Sequence, residues 1–330
     1  MLCSYSPNLN QLIPSHTTST QMPIVQLRSD DKSHSAIANI SQAQLSYPQY
    51  SKIILLLHGF PDTNASFDEF TPKLIANLPA SEKIAVVAPL LRGYERSSQT
   101  DFSRYRTVDL ALDIKNFLTQ NFSYTRETTT IHLVGHDWGA ISCFKAVSLY
   151  PDMFDSVSTL GIPYLSNLHV WDLFLYASEQ LWYSSYFLTM QWRSLYGRID
   201  TEHTESSYLN RLWEFWSPRW NYSNHDIEQV RTMLQNNGVL DHATAYYRCL
   251  LDPRNLKSIR WKIDFEKVPV LLVGGKLDGC MTIRLYELEK KRLESTSARV
   301  EVVEGAGHFL HREAPAKVAD LVADWILEHS

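Results

Sequence analysis

Residues Ile131 to Ala140 read IHLVGHDWGA, an apolar β-type run that ends in Gly135-His136-Asp137-Trp138-Gly139. A strand that passes through a Gly-x-nucleophile-x-Gly turn into a helix forms a nucleophile elbow. Glycines on either side let the backbone make a strained turn, and the central side chain projects from it. The stretch that follows, Ala140 to Tyr150, carries Phe144, Ala146 and Val147 as a partial apolar stripe, and Pro151 stops it.

The central residue is an aspartate. A serine attacks acyl carbon and yields an acyl ester, whereas a carboxylate can displace a leaving group from saturated carbon and keep an alkyl ester on itself. Asp137 therefore points to an alkyl-transferring hydrolase. Alone, the G-x-D-x-G pattern serves equally well as an ordinary helix N-cap.

Three further segments separate the two readings. Ile53 to Asp62, IILLLHGFPD, is a buried strand running into a His58-Gly59-Phe60-Pro61 turn. Ala85 to Ser97, AVVAPLLRGYERS, is another apolar strand closing in Arg92-Gly93-Tyr94. Gly305 to Pro315, GAGHFLHREAP, puts His308 just beyond a strand from Arg299 to Val303. With HDWGA, these segments resemble the α/β-hydrolase family, and within it the epoxide hydrolase branch, from about His58 to the C-terminus. The resemblance implies an α/β fold: a mostly parallel central sheet flanked by helices, with an inserted helical cap.

An ester on Asp137 is broken by water, which at neutral pH needs a base that titrates nearby, and histidine is the natural choice. The family's G-H-x-x-x-x-E-x-P pattern selects His308, and His311 is expected to face solvent. A histidine base works better when an acid fixes its tautomer. Val268 to Cys280, VPVLLVGGKLDGC, reads as a buried strand followed by G-x-x-D, so Asp278 matches the family's charge-relay acid. The order nucleophile, acid, histidine is that of this fold. Backbone amides must meet charge that develops on the Asp137 carboxyl. Trp138 supplies one, Phe60 resembles the second donor, and both residues are expected to contact substrate.

Seven of the nine tryptophans lie between Gly161 and Trp261, a stretch that interrupts the strand-helix alternation. It reads as a cap over residues 161–261, on a core formed by 1–160 and 262–330. The aromatic enrichment suggests an apolar cavity mixed with the cap's own core. Within it, Ser178 to Leu188, SEQLWYSSYFL, is similar to the family's first cap-tyrosine segment and matches at Tyr183, with Tyr186 as the fallback. Ala245-Tyr246-Tyr247-Arg248 resembles the second site and matches at Tyr247, with Tyr246 as the fallback. An epoxide oxygen leaves as a poor alkoxide unless it is hydrogen-bonded or protonated, and a phenol does this without carrying charge. Two departures stand out: Leu188 falls where family members often have glutamine, and Glu95 where glycine is more usual.

The nearest rival is a haloalkane dehalogenase, which uses the same triad. Its halide is held by N–H donors of tryptophan or asparagine, and Phe60 occupies a turn where many dehalogenases have asparagine. A haloacetate dehalogenase would carry arginine after the nucleophile, where this chain has Trp138. A non-catalytic ligand-binding protein on the same fold would have lost part of the catalytic set, yet Asp137, His308 and Asp278 all match.

The chain has 330 residues, 44% of them hydrophobic, enough for one large α/β domain with an insertion. A net charge of −5 without a basic run argues against nucleic acid and anionic membrane surfaces as partners. Cys3, Cys143, Cys249 and Cys280 show no paired metal or redox spacing, and Cys280 reads as a small buried side chain. No cofactor or metal is implied. The first twenty residues are polar, lack a signal-peptide pattern and are expected to be flexible, and no apolar run has bilayer length. The expectation is a cytoplasmic enzyme acting on an apolar epoxide and water; a homodimer is compatible with it. Two edge strands are expected at Pro23 to Arg28 and Ser35 to Ile40, and a closing helix at Ala316 to Glu328.

Overall fold

The computed structural model describes residues 22–48, 50–201, 207–255 and 260–330, so the expected flexible start lies outside the described residues. Strands β1 (Ile24–Ser29), β2 (Lys32–Ala38), β3 (Lys52–Leu57), β4 (Ile84–Pro89), β5 (Thr130–His136), β6 (Ser156–Leu160), β7 (Val270–Gly275) and β8 (Arg299–Val303) form one sheet in the order β1-β2-β4-β3-β5-β6-β7-β8. The β1-β2 and β2-β4 pairs are antiparallel, as expected for that edge, and the rest are parallel.

The strand sequences account for this arrangement. The run KIILLL of β3 is buried throughout, as is VLLVGG of β7, because helices cover both faces of the parallel part. Side chains alternate between the layers: Ile53, Leu55 and Leu57 join one apolar core, Ile54 and Leu56 the other. Burying each such side chain contributes about 1.5–3 kcal/mol. By contrast β1 alternates exposed and buried positions, the signature of an edge with one wet face.

Helices α1 (Phe70–Ala76), α2 (Thr107–Asn121) and α3 (Trp138–Leu149) alternate with the strands. After β6 the described residues hold α4 (Val170–Leu175), α5 (Glu179–Tyr183), α6 (Tyr186–Thr189), α7 (Arg193–Tyr196), α8 (Arg198–Thr201), α9 (Tyr208–Trp216), α10 (Asn224–Gln235), α11 (Val239–Ala243) and α12 (Ala245–Leu251), with no strand among them. The sheet then resumes, with α13 (Ile283–Arg292), α14 (Leu310–Glu313) and α15 (Pro315–Glu328). No helix among the described residues is long and apolar enough to cross a membrane.

Register decides where chemistry can occur. Leu57 lies opposite Gly135, His136 opposite Leu160, Leu160 opposite Val273, and Gly275 opposite Val303. The carboxyl ends of β3, β5, β7 and β8 therefore finish level, and the turns after them converge.

The helical insertion leaves and rejoins the sheet layer side by side. Ile263 N donates to Tyr164 Oη at 3.0 Å and Ser166 Oγ to the Trp261 carbonyl at 2.6 Å, while the Trp261 ring stacks on Phe144 of α3 at 5.9 Å. Its tryptophans divide: Trp213 and Trp216 are fully buried, but Trp171, Trp182 and Trp192 are 68%, 70% and 57% exposed. Helix α9 is fastened to the loops beneath it. Trp213 Nε1 donates to the Pro61 carbonyl (3.2 Å), and the Trp216 carbonyl accepts from Gly279 N (3.2 Å) and His308 N (3.0 Å).

Candidate active site

Asp137 lies between β5 and α3 with φ 48° and ψ −115°, a backbone region that L residues rarely adopt and that aims the side chain out of the turn. Close approach demands the flanking glycines. A Cβ on Gly139 would strike the Leu57 carbonyl, and one on Gly59 the Asp137 carboxylate. Asp137 Oδ1 accepts Phe60 N–H at 2.8 Å, and Oδ2 lies 3.6 Å from His308 Nε2. Burial acts to raise its pKa, but the contact and charge of His308 and the Phe60 amide outweigh it, so the carboxyl stays below its ordinary value and ionised.

His308 follows β8. Its Nδ1 is 2.9 Å from Asp278 Oδ2, while Asp278 Oδ1 accepts Cys280 N (2.6 Å) and Met281 N (2.9 Å). Those two amides fix the carboxylate, and the carboxylate fixes the ring with Nε2 toward Asp137. Burial opposes charging of the imidazole, yet the Asp278 and Asp137 carboxylates together raise it to about 10.

The Phe60 amide is held in place by residues the sequence reading did not single out for that role. His58 Nε2 accepts Leu91 N–H (3.0 Å), so its Nδ1 carries the proton and donates to the Gly59 carbonyl (2.9 Å); Tyr94 Oη donates to the same carbonyl (3.1 Å). Burial lowers His58 to about 4, which keeps it neutral. The sequence signal was present in the HGFP and RGY turns, but its meaning required seeing them packed together.

Trp138 opens α3, and its ring meets that of Tyr247 edge-on at 5.0 Å; Phe60 meets Tyr247 at 5.5 Å. The two candidates on α12 are distinguished by their partners. Tyr246 Oη donates to the Arg92 carbonyl, whereas the buried Tyr247 Oη has no partner among the described residues. Arg92 in turn forms a bidentate pair with buried Asp113 (2.7 and 2.6 Å), which fixes that turn.

Tyr183 is not brought beside Tyr247. It ends α5, half-buried against Phe215 at 5.5 Å, on a groove of about 290 Å³ lined also by Trp182, Tyr186, Tyr208 and Trp216. Tyr186, three residues on, is buried with its ring 5.7 Å from Tyr247 and 5.0 Å from Trp216, whose ring is 4.9 Å from His308. Its Oη lies 3.6 Å from Cys280 Sγ. Burial, then nearby acidic groups including Asp137, push the Tyr186 and Tyr247 phenols well up, so both hold their protons at neutral pH.

His311 corrects another expectation. It does not face solvent but is fully buried, its ring 4.4 Å from His136 and 5.0 Å from Phe67. The one-turn helix α14 rolls it under the end of the sheet, between those two rings. Leu188 is 60% exposed, and Glu95 Oε2 accepts Ser35 Oγ at 2.8 Å on β2, so neither departure touches the site. Cys280 is buried, as expected.

Residues 52–315 match the family model described as alpha/beta hydrolase fold. An epoxide hydrolase of Caballeronia sordidicola is 25% identical over 299 residues, covering 81% of this chain and 85% of that one. Epoxide hydrolase 3 of Xenopus tropicalis is 25% identical over 285 residues, covering 84% and 71%. The crystal structure of epoxide hydrolase VrEH1 from Vigna radiata superposes with a TM-score of 0.67 at 22% identity, covering 94% of this chain and 99% of that one.

Proposed function

The chain belongs to the alpha/beta hydrolase fold family, and on that premise we propose that it is an epoxide hydrolase that opens an apolar epoxide to a vicinal diol through an ester on Asp137. The observation that carries this reading is a buried, ionised carboxylate 3.6 Å from a histidine–carboxylate pair, with the buried phenols of Tyr247 and Tyr186 packed on Trp138 and Trp216 around it. Asp137 Oδ2, the oxygen not held by Phe60, attacks one epoxide carbon. That C–O bond breaks, and the electron pair goes to the ring oxygen, which takes a proton from Tyr247 or Tyr186. The sequence assigned the first phenol to Tyr183; the packing beside Tyr247 favours Tyr186.

Esterification changes the base. With Asp137 ionised, two carboxylates hold His308 charged to about pH 10. An ester on Asp137 carries no charge, so only Asp278 still favours the imidazolium and the pKa falls. The imidazolium gives its proton to the phenolate left by ring opening, and the neutral His308 then takes a proton from water; hydroxide adds to the ester carbonyl, and the Phe60 and Trp138 amides meet the oxyanion. Collapse breaks the acyl C–O bond, the departing diol oxygen takes the proton of the added hydroxyl, and Asp137 is restored as a carboxylate beside the His308 imidazolium. A halide needs no proton to leave, so paired phenols in the pocket favour the epoxide over a haloalkane. The complete Asp137, His308 and Asp278 set favours an enzyme over a ligand-binding relative.

A single turnover in oxygen-18 water tests the route. The oxygen added to the first diol comes from Asp137, so that diol should be unlabelled and the label should appear in the Asp137 peptide. Label entering the diol directly would sink the covalent mechanism. Turnover of styrene oxide, an aliphatic epoxide and a bromoalkane, with diol and halide both measured, decides the leaving group; halide release without diol from epoxides would favour the dehalogenase.

A further inference from the structure

Behind the catalytic pair lies a second buried cluster that this mechanism does not use: Asp62, His136 and His311, all at or near zero exposure. Asp62 Oδ2, His136 Nδ1 and both ring nitrogens of His311 have no hydrogen-bond partner among the described residues. Burying four polar atoms this way is unfavourable unless something joins them.

The hydrogen bonds around the cluster say what that something must be. His136 Nε2 lies 3.0 Å from the His308 carbonyl, and a carbonyl only accepts, so Nε2 carries the proton and Nδ1 presents a lone pair. Asp62 Oδ1 accepts Thr63 N–H, leaving Oδ2 as a second lone-pair donor. His311, with neither ring nitrogen hydrogen-bonded among the described residues, can turn a third lone pair toward the same point. A single N–H on His311 can meet only one of the two acceptors facing it, Asp62 Oδ2 and His136 Nδ1. A ligating imidazole whose other N–H is held by a backbone carbonyl is also the usual outer arrangement of metal sites.

We propose that Asp62, His136 and His311 bind a divalent cation of the zinc class. The donor set is two imidazole nitrogens and one carboxylate oxygen, which suits borderline metals. One donor atom from each lies within 4.8 Å of the others, and His311 Nε2 is 4.0 Å from Asp62 Oδ2. Bonds of about 2.0–2.1 Å in a tetrahedron put ligand atoms about 3.3 Å apart, so closure needs at most about 1.5 Å of side-chain rotation. Arg312 does not block it: its guanidinium is 3.6 Å from Oδ1, the other oxygen, and is shared with Asp226 at 2.7 Å. A surface cleft of about 720 Å³ is lined by Ser66 and Arg312, neighbours of Asp62 and His311 in the chain. The bound cation would brace His136, and through it the carbonyl of His308.

The site does not depend on the proposed reaction and is tested without substrate. Tag-free, chelator-treated protein is titrated with Co²⁺ and then Zn²⁺. The expected result is one equivalent with a tetrahedral cobalt spectrum lacking a thiolate charge-transfer band, displacement by zinc, and a higher melting temperature. His311→Gln should weaken binding on the order of 100-fold or more, and Asp62→Asn should do the same if His311→Gln fails to fold. No cobalt spectrum, or binding indifferent to these substitutions, overturns the proposal. So does a thiolate band lost in Cys280→Ser, which would put the ion on Asp137, Cys280 and His308, the other buried group with donors within 4.8 Å among the described residues.

Discussion

A phenol serves a leaving oxygen only if its hydroxyl is free to turn toward it, and that criterion ranks the tyrosines. Tyr246 is committed to the Arg92 carbonyl and Tyr183 lies at the groove, while Tyr247 is buried and uncommitted. Tyr247→Phe should lower kcat on the order of 100-fold, Tyr186→Phe should lower it less because Tyr247 remains, and Tyr183→Phe should change it less than about threefold, as expected for loss of a hydroxyl outside the site. Steady-state kinetics with melting temperatures check this; a Tyr183 effect as large as that of Tyr247 would restore the sequence assignment. The two assignments differ in helical phase. Tyr183 and Tyr186 are three residues apart, and a short local pattern does not say which turns inward when a break at Ser184 and Ser185 separates their helices. His311 was misplaced for the same reason. His308 also makes stability depend on pH. Its pKa rises on folding from 6.5 to about 10, so its contribution is full below 6.5 and is lost as pH rises through about 10. Melting temperature should fall over that window, and less steeply in Asp278→Asn; a wild-type curve no steeper than that of the variant would contradict the assignment.

At the scale of elements, the sheet and the helical stretch between β6 and β7 were legible, but the facing of the helices in that stretch was not. Strands β3, β4 and β7 are six residues long and β5 seven, each mostly apolar and closing at a glycine or proline, a pattern that reads as buried strand. Asp137 and Asp278 sit in turns after β5 and β7, which the sequence marks clearly, whereas His308 follows the more polar β8 and was located by the family motif. Helices of the insertion are mostly four to nine residues long, too short for an apolar period to fix a face. Nothing in the sequence announced that α9 would reach the catalytic loops. Ser217, just after that helix, accepts Phe309 N–H at 3.1 Å and donates to Glu313 Oε1 at 2.6 Å, and Glu313 Oε2 accepts Gly307 N–H at 2.8 Å. This clamp grips both sides of His308. Ser217→Ala leaves a buried amide and a carboxylate oxygen unpaired and should cost about 1–3 kcal/mol, read from urea unfolding. A cost within about 0.5 kcal/mol, the range of ordinary surface changes, would mean that the clamp bears no load.

For the whole molecule the question is how substrate reaches a triad that is buried from end to end. Asp137, Asp278 and His308 are 3%, 5% and 0% exposed, so entry requires a local opening. Helix α9 is a poor candidate, since Trp213 and Trp216 tie it to the turns after β3, β7 and β8. Helices α4 to α7 have four to six residues each, well below the length at which a helix is stable without packing. Much of their surface finds no such packing: Trp171, Leu175 and Trp182 are 68%, 71% and 70% exposed. The groove bearing Tyr183, Tyr186 and Trp216 runs between these two parts of the insertion. Opening should therefore move α5 and α6 against a fixed α9, carrying Tyr186 away from Tyr247 and clearing a path to Asp137. Hydrogen exchange read by mass spectrometry should show peptides across 170–196 exchanging at least tenfold faster than those across 208–216, since each 1.4 kcal/mol of opening free energy is a factor of about ten. The reverse order would make α9 the moving part, and its hydrogen bonds to the His308 and Gly279 amides would then break on every opening, uncoupling the base from its acid whenever substrate entered.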